Sequence, residues 1–311
     1  MALGNGGDRA VHVDAREGFL PILYRLLAYG ADVNIQNLLQ EAPLHQALQR
    51  GQTPTSLTLL SNGASWTITH DKGSTALHLS AKKSAHLVLE IVAKAAKSVN
   101  LPLVGDCEGA TPLHMAVRIN HQETVDVLIR LGANVDAVQT SKDGAVPTAL
   151  WQAGWNKNLD IAAKLLEAGA DPNSRGKDKA TVLHLAVAKR WPEMVRLLAR
   201  HKAGLNAQTA DKRRPLHAAV LMKDLSMVRL LLELGARDLH KRASGDFTAL
   251  HHAARKGQLA CAKWLLELGI DKSVRSTTAR WPFNVKGTAA EVARAVDVAE
   301  FIEKYEAEAA Y

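Results

Sequence analysis

Thr111-Pro112-Leu113-His114-Met115-Ala116-Val117 decides how this chain is read, because close copies of it recur along the whole length. They are Ala42-Pro43-Leu44-His45-Gln46-Ala47-Leu48, Thr75-Ala76-Leu77-His78-Leu79-Ser80-Ala81 and Thr181-Val182-Leu183-His184-Leu185-Ala186-Val187. Two more follow, Arg214-Pro215-Leu216-His217-Ala218-Ala219-Val220 and Thr248-Ala249-Leu250-His251-His252-Ala253-Ala254. Fainter copies begin at Arg9, Thr148 and Thr288. The His or its substitute falls at 12, 45, 78, 114, 151, 184, 217, 251 and 291, in steps of 33, 33, 36, 37, 33, 33, 34 and 40. A period near 33 running end to end means an array of one repeated unit, not a domain with a single centre.

Each copy predicts a helix pair. Thr111 is placed to cap a helix whose first turn accepts Pro112, where a missing N–H costs nothing. Leu113, Ala116 and Val117 then fall on one face at i, i+3 and i+4. A second helix is expected over 124–131, with Val125, Leu128 and Ile129 inward and Asp126 and Arg130 outward. Gly132 ends it in the left-handed region, and Ala133-Asn134-Val135-Asp136 leaves as extended chain. The same exit reads Gly30-Ala31-Asp32-Val33-Asn34 and Gly169-Ala170-Asp171-Pro172-Asn173.

The T-P-L-H-x-A helix, the G-A-D-x-N exit and the 33-residue step together resemble the ankyrin repeat over essentially the whole chain. The resemblance implies an all-α solenoid of about nine stacked antiparallel helix pairs, with the links projecting as β-hairpin fingers. It also implies a binding scaffold, with partners held by the fingers and the inner helix face, and no enzymatic activity. The expected repeats run approximately over 1–36, 37–69, 70–105, 106–139, 140–175, 176–208, 209–242, 243–276 and 277–311, in one array. The first and last are expected to act as caps.

Composition agrees. The 311 residues are 47 % hydrophobic but only 5 % aromatic, as Leu/Ala-packed helices require. No run approaches the roughly 18 apolar residues of a membrane span. The first eight residues have neither the basic start nor the apolar centre of a signal peptide. Cys107 and Cys261 stand about four repeats apart, too far to pair at roughly 10 Å per helix layer. Two unpaired thiols point to a reducing compartment, cytoplasmic or nuclear. The chain opens almost inside its first helix, which hints at one module of a larger protein.

The pattern bends in places. Asp14 replaces an inward Ala in the first copy, which suits a half-exposed cap. The third copy loses its exit glycine, so its second helix is expected to run longer. Long links are expected at 139–147 and 273–287, and a closing helix pair at 288–305.

Charge is uneven. Residues 1–174 carry a net −2, residues 175–280 a net +13 and residues 281–311 a net −3. The excess falls on the expected fingers: Arg175, Lys177, Lys179; Lys212, Arg213, Arg214; Lys241, Arg242; Lys272, Arg275, Arg280. Adjacent fingers would make these one basic ridge, raising the on-rate of acidic partners more than affinity. Ordinary solubilising charge is the bland alternative.

The His column suggests a metal, but ligands must lie about 2 Å from one ion while successive repeats stand roughly 10 Å apart. A structural role is expected instead, with each imidazole bonded to the Thr hydroxyl or a finger backbone group, and no metal or other cofactor is expected. No catalytic motif stands out: Ser80-Ala81-Lys82-Lys83 and His121-Gln122-Glu123 match S-x-x-K and H-x-E by letter only.

The residue five after the inward Leu points the opposite way, toward the groove. It is Arg16, Gln49, Lys82, Arg118, Trp155, Ala188, Leu221 and Arg255 in successive copies, followed by positions that include Met222. Trp155, Leu221 and Met222 are apolar there, either as anchors for a partner or buried by a neighbouring repeat. Trp66, Trp191 and Trp264 are expected in the core, and Trp281 and Phe283 on the last finger. These residues frame a monomeric adaptor for an acidic or mixed acidic–apolar protein segment. The alternative is electrostatic binding of nucleic acid or anionic lipid headgroups by the ridge, although no base-stacking aromatics interleave with the basic residues.

Overall fold

The computed structural model describes residues 6–71, 73–102, 109–139, 148–236, 242–243, 247–276, 287–293 and 296–305. Lys241, Arg280, Trp281, Phe283 and Cys107 lie outside them, as do most of both long links. The described residues are all-helical. Two compact units divide the chain, Met1–Ala170 and Asp171–Tyr311.

Five helix pairs build the first unit: α1 (Ala10–Glu17) with α2 (Leu20–Ala28), α3 (Pro43–Gln49) with α4 (Thr53–Ser61), and α5 (Ala76–Lys82) with α6 (His86–Ala96). They continue as α7 (Pro112–Arg118) with α8 (Gln122–Arg130) and α9 (Ala149–Trp155) with α10 (Leu159–Glu167). The second unit holds α11 (Val182–Ala188) with α12 (Pro192–Arg200), α13 (Pro215–Leu221) with α14 (Leu225–Glu233), α15 (Ala249–Arg255) with α16 (Leu259–Glu267), and α17 (Val296–Lys304). Residues 289–292 form turns where the closing pair was expected to start. The links contribute only isolated antiparallel bridges among the described residues, such as Val138–Thr148 and Arg175–Thr181, and no strand.

Most of the short first helices bury more than one face. In α7 all of Pro112 through Val117 is buried, beyond the single stripe of Leu113, Ala116 and Val117. The reason is position: α7 packs on α5, α8 and α9 at once. The second helices keep one wet face. In α8, Thr124, Val125, Val127 and Leu128 are buried, Ile129 is half-buried, and Asp126 and Arg130 are exposed. Arg130 pairs with Glu90 (3.0 Å) and Asp126 with Lys164, linking neighbouring second helices by exposed ion pairs. Each such pair adds at most about 1 kcal/mol, whereas a buried side chain such as Leu128 contributes roughly 1.5–3 kcal/mol.

The imidazoles explain why His recurs. In each copy that carries the His, Nδ1 accepts from the backbone N–H three residues back, as in Ala42–His45 (3.0 Å), Thr111–His114 (3.1 Å) and Thr181–His184 (3.2 Å). Where Thr precedes the helix its hydroxyl also reaches Nδ1, at 2.9 Å for His78, His114 and His184. With Nδ1 accepting, Nε2–H is free to donate to the following link. It does so from His12 to Glu41 O and from His45 to Ile68 O (both 3.0 Å), and from His184 to Arg213 O and His251 to Gly287 O (both 3.2 Å). The His therefore caps its own helix and ties it to the next repeat.

The exit motif works the same way. Asp32 Oδ1 accepts from Asn34 N–H (2.9 Å) and turns the chain, and Asn34 Oδ1 then accepts from Ser65 N–H (2.7 Å) one repeat on. Asn100 repeats this on Asn134 (2.6 Å) and Asn173 on Gly204 (2.7 Å). Gly132 and Gly169 sit at φ +81° and +92° with open space around them, so glycine is there for its dihedral, not for room. The third copy lacks the glycine, and Lys97 takes the left-handed position (φ 53°) after an eleven-residue α6. Asp14 is buried, at 7 % exposure, not half-exposed, and burial raises its carboxyl above the usual range. Trp66, Trp191 and Trp264 are half-buried, not core, and the Arg229 guanidinium lies 5.3 Å over the Trp264 ring. The Ser80 hydroxyl is buried and donates to Leu77 O (2.9 Å), a structural role.

Candidate functional site

The finger tips are tight turns. Gly176 N–H donates to Ala180 O (2.8 Å), and Thr209 N–H donates to Arg213 O (2.9 Å), closing two consecutive loops of the second unit. Lys179 and Lys212 take the left-handed position in them (φ 57° each). Ala210 N–H donates to Asp178 O (2.6 Å), so the tips are bonded to each other through backbone. Arg175 Nη1 donates to Gln208 O (2.9 Å) and spans the same pair.

These bonds hold Lys177, Lys179 and Lys212 exposed, with Arg213 half-exposed. Arg242 is exposed as well. Arg214 is different. It precedes α13 and is 5 % exposed, so it belongs to the repeat junction and not to the ridge.

Buried imidazoles beneath the tips register the positive charge. Burial pushes His184 below its usual range, and Arg175 pushes it further. Burial does the same to His251, with Arg242 adding. His252 is lowered to about 3, first by burial and then by His217, Arg213, His251 and Arg255.

The residue five after the inward Leu stands at or near the end of each first helix. Lys82, Arg118, Trp155 and Ala188 are exposed there, while Leu221 and Arg255 are half-buried. Met222, one residue on, is 41 % exposed. Its carbonyl accepts from Arg190 Nη2 (2.7 Å). Trp155 is 59 % exposed and stacks nearly parallel on Trp151, with centroids 6.3 Å apart and planes 17° apart. Trp155 lies in the first unit, whereas the cationic tips, Leu221, Met222 and Arg255 lie in the second.

Two features are not visible in the sequence order. Arg175 is a brace as much as a surface charge, and only its bond to Gln208 shows this. His86, His121 and Glu123 come together in the first unit although neither His belongs to the periodic column. Their 35-residue separation, close to one repeat step, was the available signal.

No helix among the described residues is long and apolar enough to cross a membrane. Family models described as ankyrin repeats in three copies match residues 11–101, 44–139, 86–176 and 150–243, and one described as many copies matches 224–266. A mouse protein named B-cell lymphoma 3 protein homolog is 31 % identical over 202 residues, covering 63 % of this chain and 44 % of its own length. The chicken nuclear factor NF-kappa-B p105 subunit is 29 % identical over 201 residues, 62 % of this chain and 20 % of its own. The match thus spans less than half of either relative.

Among solved structures, the ankyrin repeat domain of Bcl-3 superposes with a TM-score of 0.62 at 28 % identity, over 72 % of this chain and 99 % of that one. The ankyrin repeat domain of human ASB11 gives 0.60 at 25 %, over 74 % and 99 %. Such domains are typically protein–protein interaction modules. With helix pairs at a step near 33 residues and family models matching from residue 11 to 266, the chain belongs to the ankyrin repeat family.

Proposed function

We propose that this chain is a non-enzymatic, intracellular adaptor, working in the cytoplasm or nucleus as a monomeric array. It takes an acidic or mixed acidic–apolar segment of another protein. The observation carrying this reading is the backbone bond from Ala210 to Asp178 (2.6 Å), which fixes Lys177, Lys179, Lys212 and Arg213 on adjoining closed turns. Four cations on rigid supports need little ordering before they meet carboxylates, so less entropy opposes association. Leu221 and Met222 supply apolar area in the same unit. Trp155, braced by Trp151, is a separate anchor in the first unit.

The test is a kinetic binding series. The ligands are a synthetic Glu/Asp-rich peptide with interleaved leucines and the protein that copurifies from native cells. Lys177→Glu with Lys179→Glu and Lys212→Glu should slow association about tenfold at low salt and flatten its salt dependence. Trp155→Ala should mainly speed dissociation, by roughly 2 kcal/mol, or about thirtyfold. Duplex DNA and anionic vesicles run beside the peptide. A steep salt slope for either, lost with the lysines and indifferent to Trp155, would favour electrostatic binding of nucleic acid or lipid. If neither variant changes binding of the copurified protein, the placement is wrong.

A further inference from the structure

His86 is the first residue of α6, and His121 directly precedes α8. Both imidazoles are half-buried, and their rings approach to 5.9 Å between centroids at a 62° tilt. His86 Nε2 lies 3.0 Å from Thr124 Oγ1, and His121 Nδ1 lies 3.0 Å from the same oxygen. A hydroxyl has one proton, so it can donate to only one of these nitrogens, and the other ring must donate to it. Glu123, in the first turn of α8, adds an exposed carboxylate. One ligand atom from each of the three side chains lies within 4.8 Å of the others. Among the described residues this is the one such group of three. The His45–His70 and His217–His252 rings come equally close, at 5.8 Å, but belong to no such group.

We propose that His86, His121 and Glu123 bind one divalent late transition ion, with Zn²⁺ as the reference and water in the fourth position. Two imidazoles and one carboxylate form an established donor set for zinc with an open site. The same donors would take Co²⁺, Ni²⁺ and Cu²⁺ in the usual affinity order. Bonds of about 2.0–2.2 Å to a tetrahedral ion bring neighbouring donors to roughly 3.4 Å. The group must therefore contract by up to about 1.4 Å from the 4.8 Å bound, and the solvent-facing Glu123 side chain has room to do so. Each imidazole turns its lone pair to the ion and gives up its bond to Thr124. The positive end of α8 opposes a cation here, and the Glu123 charge offsets it. Such an ion staples the second helices of two successive repeats, α6 and α8, across a junction that packing, the Asn100–Asn134 bond and the exposed Arg130–Glu90 pair also hold.

The test is calorimetric titration of the whole chain with ZnCl₂ at pH 7.5, in a buffer that does not bind zinc. Saturable one-to-one binding is expected, together with the visible absorption of tetrahedral Co²⁺. Glu123→Gln should weaken binding at least tenfold, and His121→Gln, which keeps a hydrogen-bonding side chain, should abolish it. Cys107→Ser with Cys261→Ser should leave it intact, because the thiols are not ligands. Circular dichroism identifies any variant that fails to fold, and Glu123→Gln, altered on an exposed side chain, carries the test by itself. Zinc should also raise the thermal midpoint of the parent chain and not that of His121→Gln. Absence of one-to-one binding, or affinity unchanged in Glu123→Gln, overturns the proposal.

Discussion

Two pairs of finger tips share one backbone and differ in what they show to solvent. In the first unit Asn37 N–H donates to Glu41 O (3.0 Å), His70 N–H to Ser74 O (3.3 Å), and Asp71 N–H to Leu39 O (3.2 Å). The second unit has the same closing bonds over 176–180 and 209–213, and the same cross-link from Ala210 to Asp178. The left-handed position is Gln40, Gly73, Lys179 or Lys212 in turn. The side chains, however, diverge. The first unit presents Leu38 and Leu39, 81 % and 49 % exposed, and the second presents Lys177, Lys179 and Lys212. The first unit also roots its finger in a buried network: Asn37 Nδ2 donates to Asp8 (2.8 Å), and Gln46 and Gln49 donate to the Glu41 carboxylate (2.6 and 2.5 Å). The backbone turn is thus common to both units, while the side chains it carries differ.

The largest effect should come from what both pairs of tips stand on, the neutral imidazoles beneath them. Burial lowers His45 and His78 to about 4, and His252 to about 3. An unfolded imidazole titrates near 6.5, so below that pH the unfolded chain binds protons that the folded chain refuses. Stability is therefore full above about pH 6.5 and falls as pH drops toward 4, by up to about 1.4 kcal/mol per pH unit for each such His. Urea denaturation at pH 7.5 and pH 5.0 should differ by at least about 2 kcal/mol. Equal stability at the two values would mean that these rings are charged in the fold. Acid should also loosen both units, because His45 and His78 stand in the first and His252 in the second.

A smaller effect should separate the turns. Gly73 sits at φ 73°, where an alanine costs about 1 kcal/mol. Gly73→Ala should lower stability by about that much. Lys212→Gly, at the matching position of the second unit, should change it by only a few tenths, because relief of φ 57° is offset by a more flexible unfolded chain. Thermal or urea melts of the two variants check this. A loss in Lys212→Gly equal to that in Gly73→Ala would break the equivalence of the two turns.

These turns also show where the sequence was legible. The repeat step, the helix pairs and the role of His114 could be read from periodicity, because a repeated unit shows its constraint many times over. Asp32 and Asn34 were visible as a motif, but their division of labour, one turning the chain and one reaching Ser65, needed coordinates. The ridge was read from charge alone, and charge could not tell the exposed Lys212 from the buried Arg214 two residues later. Asp14 misled for a related reason: a lone carboxylate suggests exposure, yet its helix is packed against α3. His86 and His121 left only their 35-residue separation as a signal, because they stand outside the column and meet only when their repeats stack.

The smallest effect on stability should come from the tips of the second unit. Lys177, Lys179 and Lys212 are exposed and project from turns closed by backbone bonds. Changing all three to Glu removes no buried contact, so stability should shift by no more than about 0.5 kcal/mol. A slight gain is the expected sign at low salt, since like charges on adjoining turns repel. Added salt should erase that gain, because the Debye length falls from about 30 Å at 0.01 M to about 10 Å at 0.1 M. The same triple variant should slow association with an acidic ligand about tenfold. A large kinetic effect beside a negligible thermodynamic one is the signature of side chains that serve a partner and not the fold. A loss of more than about 1 kcal/mol would show instead that the lysines hold the turns together, removing the contrast with Leu38 and Leu39 on which the proposed binding surface rests.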